Sequence, residues 1–228
     1  MPPSFAVHEG ATLRRADLEA LLDSGSLHEF RQCDFSGEDL SRLNLQGCRF
    51  HACHVAETSL YAARLGDTHW RGCRGREADF ESAELVDASF VSCDLNNSKW
   101  RRAKLASVTF DQSKLTGAMF EEVSHLGLTF KNSLLAGADL RGMSFRKAHL
   151  IELDFTGADV SGCDFRDAVF EGGSLGQIQM RQTRFDGADL RSVNLAGLTL
   201  TDVKPFKGAM ISPRQAADLL GALGLVVA

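Results

Sequence analysis

A five-residue spacing of apolar side chains runs through most of the chain and constrains its fold more than any other feature. From Phe30 to Leu200 every fifth position is apolar, and of these 35 positions only Gly75 and His125 depart from the rule. Thirteen of the fifteen Phe residues and both Trp residues fall in this register. An internal repeat of this regularity predicts a solenoid, in which each coil packs against the next.

A period of five fits neither an α-helix nor a β-strand, so the chain must turn a corner after each short segment. The residue two before each large centre is small, commonly Ala, and the other three positions are mostly polar. Two inward positions separated by one outward residue indicate a short extended segment. Each pentapeptide is therefore expected to give two side chains to a core and three to water.

A longer period of twenty residues lies on top of the first. Every fourth centre in the first half of the run is aromatic, and these centres form a predicted core stack of Phe30, Phe50, Trp70, Phe90, Phe110 and Phe130. The charges alternate along one predicted outer column, which comprises Glu81, Arg101, Glu121 and Arg141. Opposite charges on neighbouring strands stabilise a sheet by about 0.2–1 kcal/mol a pair. Both patterns predict four pentapeptides per coil.

The cysteines follow the same period. Cys33, Cys53, Cys73 and Cys93 are twenty residues apart at the small inward site, and Cys48 and Cys163 occupy that site on other faces. Small buried side chains in a reducing cytosol are the favoured interpretation, with disulfides or a metal ladder as alternatives. The segment Cys48–His54 has the composition of a metal site, but its cysteines should point inward and its histidines outward. We therefore expect neither a metal nor another cofactor.

The two ends of the chain differ from the repeat. Residues 1–27 are predicted to form a leader and a short capping helix over Leu13–Asp23, begun by Thr12. Residues 28–202 are the predicted β-helix, and residues 203–228 form a C-terminal segment. Within it, Ser212 and Gln215 make a capping box for a helix over Pro213–Leu223, which ends at Gly224.

The C-terminal segment carries more apolar surface than one solenoid end can cover. The residues that give it this character, and the predicted dimer interface, are Leu219, Leu220, Leu223, Leu225, Val226 and Val227. An exposed apolar surplus usually marks an interface. The sequence therefore predicts a two-fold homodimer joined through the C-terminus.

Composition excludes several classes of function. The net charge of −5 argues against direct binding of nucleic acid. No apolar run reaches 18 residues and the N-terminus lacks the features of a signal peptide, so we expect a cytoplasmic protein without a membrane span. The sequence contains no glycine-rich phosphate loop, and a solenoid with a filled core offers no obvious cleft, so we expect no enzyme.

Two stretches of the repeat are strongly acidic. Their predicted partner-binding residues are Glu77, Asp79, Glu81, Glu84, Asp87 and Asp94 in the first, and Glu152, Asp154, Asp159, Asp164 and Asp167 in the second. One interpretation is a solvated surface of mixed charge. The other is electrostatic complementarity to a basic partner.

Several repeat units resemble a known family. The units Ala78-Asp79-Phe80, Ala138-Asp139-Leu140 and Ala188-Asp189-Leu190 resemble the A(D/N)LXX signature of pentapeptide repeat proteins. The resemblance covers about residues 28 to 202. It implies an all-β solenoid of the right-handed quadrilateral β-helix type. The fold class predicted from the whole sequence is this solenoid with a short N-terminal capping helix and a C-terminal dimerisation helix.

Two stretches are similar to one branch of this family, the topoisomerase-protecting Qnr, MfpA and AlbG proteins and microcin immunity proteins. They are Cys33–Leu40 with Gly47–Phe50, and Ser212–Leu220 with Leu223-Gly224. The resemblance implies a dimeric rod that mimics DNA, binds DNA gyrase or topoisomerase IV, and protects the enzyme from a poison. Such protection serves antibiotic resistance or self-immunity of a producer. A non-catalytic interaction scaffold with a different partner is the alternative.

Overall fold

The computed structural model describes residues 4–198, 204–222 and 224–226. These residues belong to two compact units, the first ending at Phe130 and the second beginning at Lys131. The predicted fold class is confirmed, because the chain winds as a parallel β-solenoid of about 8 turns with one helix near each end. The predicted domain boundary at residue 202 lies outside the described residues.

One face of the first unit carries its regular strands. They are β1 (Phe5–Glu9), β2 (Leu27–Arg31), β3 (Arg49–His51), β4 (His69–Arg71), β5 (Ser89–Val91) and β6 (Thr109–Asp111), with β7 (Thr129–Lys131) at the boundary. Successive strands pair in parallel, and Phe30 lies opposite Phe50, which lies opposite Trp70. The coil is therefore twenty residues long, as the sequence predicts.

The other three faces of the coil are held by single-residue bridges instead of longer strands. Asp34 pairs with His54, Asp39 with Ser59, and Asn44 with Arg64, each pair twenty residues apart. Between the faces the chain turns through residues in the left-handed region, such as Arg102 with φ 58°. Four extended segments and four corners per coil give the quadrilateral winding.

Aromatic rings fill the core of the first unit. The six residues from Phe30 to Phe130 at every fourth centre stack face to face, with neighbouring ring centroids 3.8 to 5.6 Å apart. A second ladder of Phe80, Trp100 and Phe120 meets the first edge-on, and Phe90 and Trp100 lie 5.5 Å apart at 87°. Edge-to-face contacts of this kind are favourable beyond the area that they bury.

The second unit repeats the winding with fewer rings. Its strands are the end of β7, β8 (His149–Ile151) and β9 (Val169–Glu171), and Leu150 lies opposite Phe170. A short 3-10 helix spans Lys204–Phe206. One aromatic ladder runs through this unit at a uniform centroid spacing of 4.9 Å, formed by Phe145, Phe165, Phe185 and Phe206.

The N-terminal cap differs from the prediction. Helix α1 spans Arg15–Leu22, and the proposed start at Thr12 is wrong because Thr12 pairs with Asp34 as one more bridge of the solenoid. The Arg14 amide donates to the Asp17 carboxylate at 2.9 Å where the helix begins. The leader, for which the sequence predicted no structure, contributes β1 and so extends the sheet by one strand.

The C-terminal helix α2 spans Pro213–Ala222. Its predicted capping box is confirmed: the Gln215 amide donates to Ser212 Oγ at 3.2 Å, and the Ser212 amide donates to Gln215 Oε1 at 2.6 Å. These two bonds satisfy amides that have no partner within the helix. The predicted last residue, Leu223, lies outside the described residues.

The two exceptions to the five-residue rule have different surroundings. At Gly75 a Cβ atom would meet Val55 Cγ2 at 2.8 Å and Leu95 Cδ2 at 3.0 Å, so neighbouring side chains occupy the space of the missing centre. His125 is half-buried, and its Nδ1 lies 3.2 Å from the Val123 carbonyl oxygen. The core is thus continuous at Gly75 and looser at His125.

Candidate protein-interaction surface

The cysteines belong to the core. All six are buried and free, and the Sγ atoms of Cys53, Cys73 and Cys93 donate at 3.3, 3.4 and 3.6 Å to carbonyl oxygens 23 residues earlier. Burial raises the pKa of Cys48 to about 11 and that of Cys163 to about 12. Thiols that stay protonated at neutral pH are poor nucleophiles and poor metal ligands.

The Cys48–His54 segment has the predicted orientation, with both cysteines buried and both histidines exposed. Within the part of the chain that the structure describes, no three His, Cys, Asp or Glu side chains converge as metal ligands would. Residues available to a ligand or partner therefore lie on the outside of the coils.

The predicted acidic residues are spread around the coils. In the first stretch Asp79, Glu84 and Asp94 each precede a large inward residue, and these inward residues lie on three different faces of the coil. The three acids therefore do not form one patch. The carboxylates next to the strand bridges are half-buried, whereas those at the corners are exposed. The exposed members of the predicted set are Glu77, Asp87, Glu152 and Asp167.

Half-buried aspartates hold the corners together. Oδ1 of Asp79 accepts a hydrogen bond from the Glu81 amide at 2.9 Å, Asp154 accepts one from Thr156 at 2.9 Å, and the bonds from Asn96 to Asp94, Ser161 to Asp159 and Arg166 to Asp164 repeat the arrangement. Short polar side chains commonly close turns in this way. The Arg166 side chain, which bonds Asp164, lowers the pKa of that carboxyl. These aspartates have a structural role in addition to their charge.

Basic neighbours compensate several other acids. Lys104 pairs with Glu84 at 2.5 Å, and Arg101 lies 3.9 Å from Glu121, as the alternating column predicts. Glu81, however, pairs with Arg102 instead of Arg101, because the corner residue reaches back along the same edge. Arg141 of the same column pairs with Asp139 at 2.6 Å. The surface is therefore of mixed charge over much of the coil.

Two corners of the first unit carry exposed acids, most of them without a basic partner. Glu57 and Glu77 stack at one corner, and Asp67 and Asp87 stack at the corner half a coil away; we call these four residues the acidic corners. All four are exposed, with φ between 57° and 61°. Glu77 contacts the exposed Arg76 at 3.2 Å, but no Lys or Arg among the described residues pairs with the other three. Glu57 and Asp67 lie outside the two linear acidic stretches of the sequence, although a step of twenty back from Glu77 and Asp87 finds them.

The C-terminal helix is loosely attached to the last coil. Gln215 Nε2 donates to the carbonyl oxygens of Leu190 and Val193 at 2.7 and 2.8 Å, and a cleft of about 460 Å³ separates the rest of the helix from the coil. No residue of Pro213–Ala222 is fully buried.

The predicted interface residues lie along this helix and the tail. Leu219 is half-buried, and Leu220, Leu225 and Val226 are 39%, 56% and 93% exposed. The predicted interface residues Leu223 and Val227 lie outside the described residues. Among the residues that the structure describes, little therefore covers the apolar side of the helix.

No helix in the described ranges has both the length and the apolar character needed to cross a bilayer.

Comparison with known proteins identifies what this fold is similar to. A family model described as a pentapeptide repeat region matches residues 28–100, 44–120 and 128–204. No curated protein sequence gave a significant match.

Solved structures with the same fold include a fluoroquinolone resistance protein. A trypsin-treated variant of QnrB1, described as plasmid-mediated, has a TM-score of 0.75 and 24% identity over 88% of this chain and 100% of its own. Full-length QnrB1 has a TM-score of 0.57 and 22% identity over 96% and 97%. HetL of the cyanobacterium Nostoc sp. strain PCC 7120, described as involved in heterocyst differentiation regulation, has a TM-score of 0.54 and 22% identity over 89% and 84%.

Proposed function

Because this chain belongs to the pentapeptide repeat family, we propose that it binds a bacterial type II topoisomerase, DNA gyrase or topoisomerase IV, and protects it from a poison. The protein acts from the cytoplasm as a DNA-mimicking rod, without catalysis, a cofactor or direct contact with nucleic acid. The observation that carries this proposal is the pair of acidic corners.

The acidic corners supply charge in a DNA-like arrangement. Ten residues, half a coil, separate Asp67 from Glu57, so the two columns run along opposite edges of the first unit. Within a column the carboxylates are about 4.8 Å apart, the spacing of neighbouring strands. Duplex DNA presents one phosphate per about 3.4 Å along each of its two strands. Two parallel lines of negative charge complement a basic groove that grips DNA.

In this proposal the second unit contributes further exposed acids and the dimer interface. Glu152 and Asp167 are exposed there, and Asp167 lies 3.9 Å from Arg146. A second copy of the chain would cover Leu220, Leu225 and Val226 by a two-fold contact between α2 helices. This contact would present two copies of the acidic surface to a two-fold symmetric enzyme.

A supercoiling assay tests the proposal directly. Purified gyrase is challenged with a fluoroquinolone, with and without micromolar amounts of this protein. We expect the protein to restore supercoiling or, at higher concentration, to inhibit it by occupying the DNA-gripping surface. Supercoiling that is unchanged with drug and without drug would remove gyrase as the partner, and the same pair of measurements on topoisomerase IV completes the test.

The dimer has its own test. Leu220→Asp places a charge in the proposed interface, so light scattering should give the mass of one chain. Leu134→Asp is the matched control, because Leu134 is 42% exposed on the side of a coil and should leave the mass at two chains. Equal masses for the two variants would refute an interface at α2.

A scaffold with a different partner is the second candidate. The observation that favours it is the structural use of many acids as turn closures and ion pairs, which leaves only part of the charge for a DNA-like surface. The fold is also similar to that of HetL, whose description concerns differentiation. Lack of any effect on both topoisomerases, together with a folded dimer, would support this candidate.

A further inference from the structure

One part of the first unit has the opposite charge to the acidic corners. Residues 49–56 and 69–76 contain four Arg, three His and no acid. The matching segments one coil earlier and one coil later do contain acids, Glu29 and Asp34 before and Asp94 after. The change of sign is therefore confined to this part of two adjacent coils, where Glu57, Glu77 and Asp67 of the acidic corners border it.

The winding brings these residues together. Arg49 lies beside His69, and His51 beside Arg71, on neighbouring strands of one face, while His54 bridges Arg74 just around the corner. Neighbouring positions are about 4.8 Å apart between strands and about 6.6 Å apart along a strand. All six side chains are exposed, and we call them the basic patch.

Local contacts position part of the patch and leave its charges available. The Arg49 guanidinium lies 4.1 Å from the ring centroid of Phe5, and His69 Nδ1 is 2.8 Å from Ser89 Oγ. Arg71 and Arg74 make no ion pair with any described residue. A depression of about 300 Å³ lies between Arg49, His69 and Arg71.

Several backbone amides under the patch are already engaged. The amides of Ala52, Gly72 and Gly75 all donate to carbonyl oxygens of the next coil, at 2.8, 2.9 and 2.7 Å. A phosphate loop presents unpaired amides that converge on the anion. The three occupied amides form no such loop, so we assign recognition here to the Arg and His side chains.

The small size of the basic patch favours a compact polyanion over a long one. Two coils span about 10 Å, close to the Debye length of about 8–10 Å at moderate salt. Glu29 is paired with Arg31 at 2.9 Å, but a nucleic acid crossing successive coils would pass over Asp34 on one side and Asp94 on the other, where like charges repel it. A compact cluster of carboxylates fits within the patch without meeting these acids, and the arginine forks bind carboxylates by paired hydrogen bonds.

We propose that the basic patch is a second docking surface, which binds an acidic segment of a partner protein. It lies on a different part of the coil from the acidic corners and does not depend on the identity of the topoisomerase. A partner with both a basic groove and an acidic segment would be oriented by two contacts of opposite sign.

A fluorescein-labelled oligoglutamate peptide is the probe for this surface. We expect fluorescence anisotropy to show saturable binding that weakens as salt increases, and Arg71→Glu combined with Arg74→Glu to weaken it by about tenfold or more. Lys147→Glu is the matched control, because Lys147 is an exposed base of the second unit and should leave the affinity within about twofold of wild type. Circular dichroism checks that the variants are folded. If the charge-reversal variant does not fold, Arg71→Gln combined with Arg74→Gln takes its place.

Three results would overturn the proposal. The first is no binding of the peptide by the wild-type protein, and the second is equal binding by the patch variant and the Lys147→Glu control. The third is tighter binding of a duplex DNA of roughly 20 base pairs than of the peptide, lost in the same patch variant, which would assign the patch to nucleic acid. All three are independent of the gyrase assay, because gyrase is absent.

Discussion

The two units follow the same five-residue rule but place their large rings on different faces. In the first unit the rings form two ladders on opposite faces, and the second ladder meets the first edge-on. In the second unit the continuous ladder, from Phe145 to Phe206, lies on a face that carries Leu residues in the first. The five-residue rule therefore determines which positions hold large inward side chains. It does not determine which column of these positions is aromatic, and the two units differ in that respect.

The two Trp residues of the first unit have polar residues at the neighbouring small inward positions. The indole N–H of Trp70 donates to Thr68 Oγ1 at 2.9 Å, and that of Trp100 donates to Ser98 Oγ at 2.7 Å. A buried indole needs such an acceptor. The second unit has no Trp, and the small inward position two residues before Phe165 is Cys163. Beside the two Trp residues the small inward side chain accepts from the indole, whereas the hydroxyl of Thr183, before Phe185, donates to the Val160 carbonyl oxygen at 2.9 Å.

Substitution of glycine should have its largest effect in the second unit. Gly173 has φ 75°, and a Cβ there would lie 2.0 Å from the backbone carbonyl oxygen of Leu153. We expect Gly173→Ala to lower the free energy of unfolding by about 3 kcal/mol or more. Denaturant unfolding followed by circular dichroism measures this loss.

Gly75→Ala in the first unit is the matched comparison. Its new Cβ would press on side-chain methyl groups of Val55 and Leu95, which can rotate, so the expected cost is about 1–2 kcal/mol. If the Gly75→Ala variant were less stable than Gly173→Ala, crowding against side chains would cost more than crowding against the backbone, which would contradict this prediction.

The hydroxyl under Trp100 should have the next largest effect. Ser98→Ala leaves a buried indole N–H without an acceptor, and we expect a loss of about 1–3 kcal/mol. In a Trp100→Phe background the same Ser98→Ala change should cost much less, as in the second unit, where Phe needs no acceptor. A double-mutant cycle by thermal unfolding measures the coupling, and equal costs in the two backgrounds would show that the hydroxyl has no special role.

Acidic pH should loosen the N-terminal cap and spare the C-terminal one. His28 is 1% exposed, its Nδ1 lies 3.1 Å from His8 Nε2, and its own Nε2 makes no hydrogen bond of good geometry. Burial and then the neighbouring His8 lower the pKa of His28, against a smaller raising effect of the Leu21 backbone. The folded cap therefore binds fewer protons than the unfolded one, and its stability falls as pH drops through about 6.5.

Hydrogen exchange at about pH 7.5 and about pH 5.5, corrected for intrinsic rates, measures this effect. Amides of β1 and α1 should lose protection at the lower pH, and His28→Gln should remove most of the difference. The C-terminal cap contains no histidine and should change little. Equal loss in both caps would indicate general acid destabilisation instead of a contribution from His28.

Most of the fold follows from the period of the sequence. The step of five predicts which residues are inward, and the step of twenty predicts that Phe50 stacks on Trp70. The start of α1 was wrong because Thr12 has the local character of a helix cap, whereas its pairing with Asp34 depends on a residue more than one coil away. Strand β1 escaped notice for the same reason, because its register to β2 is set by the cap and not by the repeat.

The candidate site could be predicted only in part. The predicted acids are on the surface, but sequence composition could not separate those that close turns, such as Asp79, from those that face solvent, such as Asp87. That separation depends on position within the pentapeptide, because residues before a centre lie beside the next coil and residues at a corner do not. Reading the acids by column and position, as for Glu57 and Asp67, recovers the distinction.

The affinity of gyrase for acidic-corner variants tests the central claim most directly. Asp67→Gly combined with Asp87→Gly removes two charges at positions with φ 57° and 61°, where glycine is at least as well tolerated as aspartate. Ser107→Gly, at φ 58° in the same column, is the control without a charge change. We predict that the double variant is as stable as wild type but binds gyrase about tenfold more weakly, while Ser107→Gly binds normally; equal gyrase affinity for all three proteins would contradict the account.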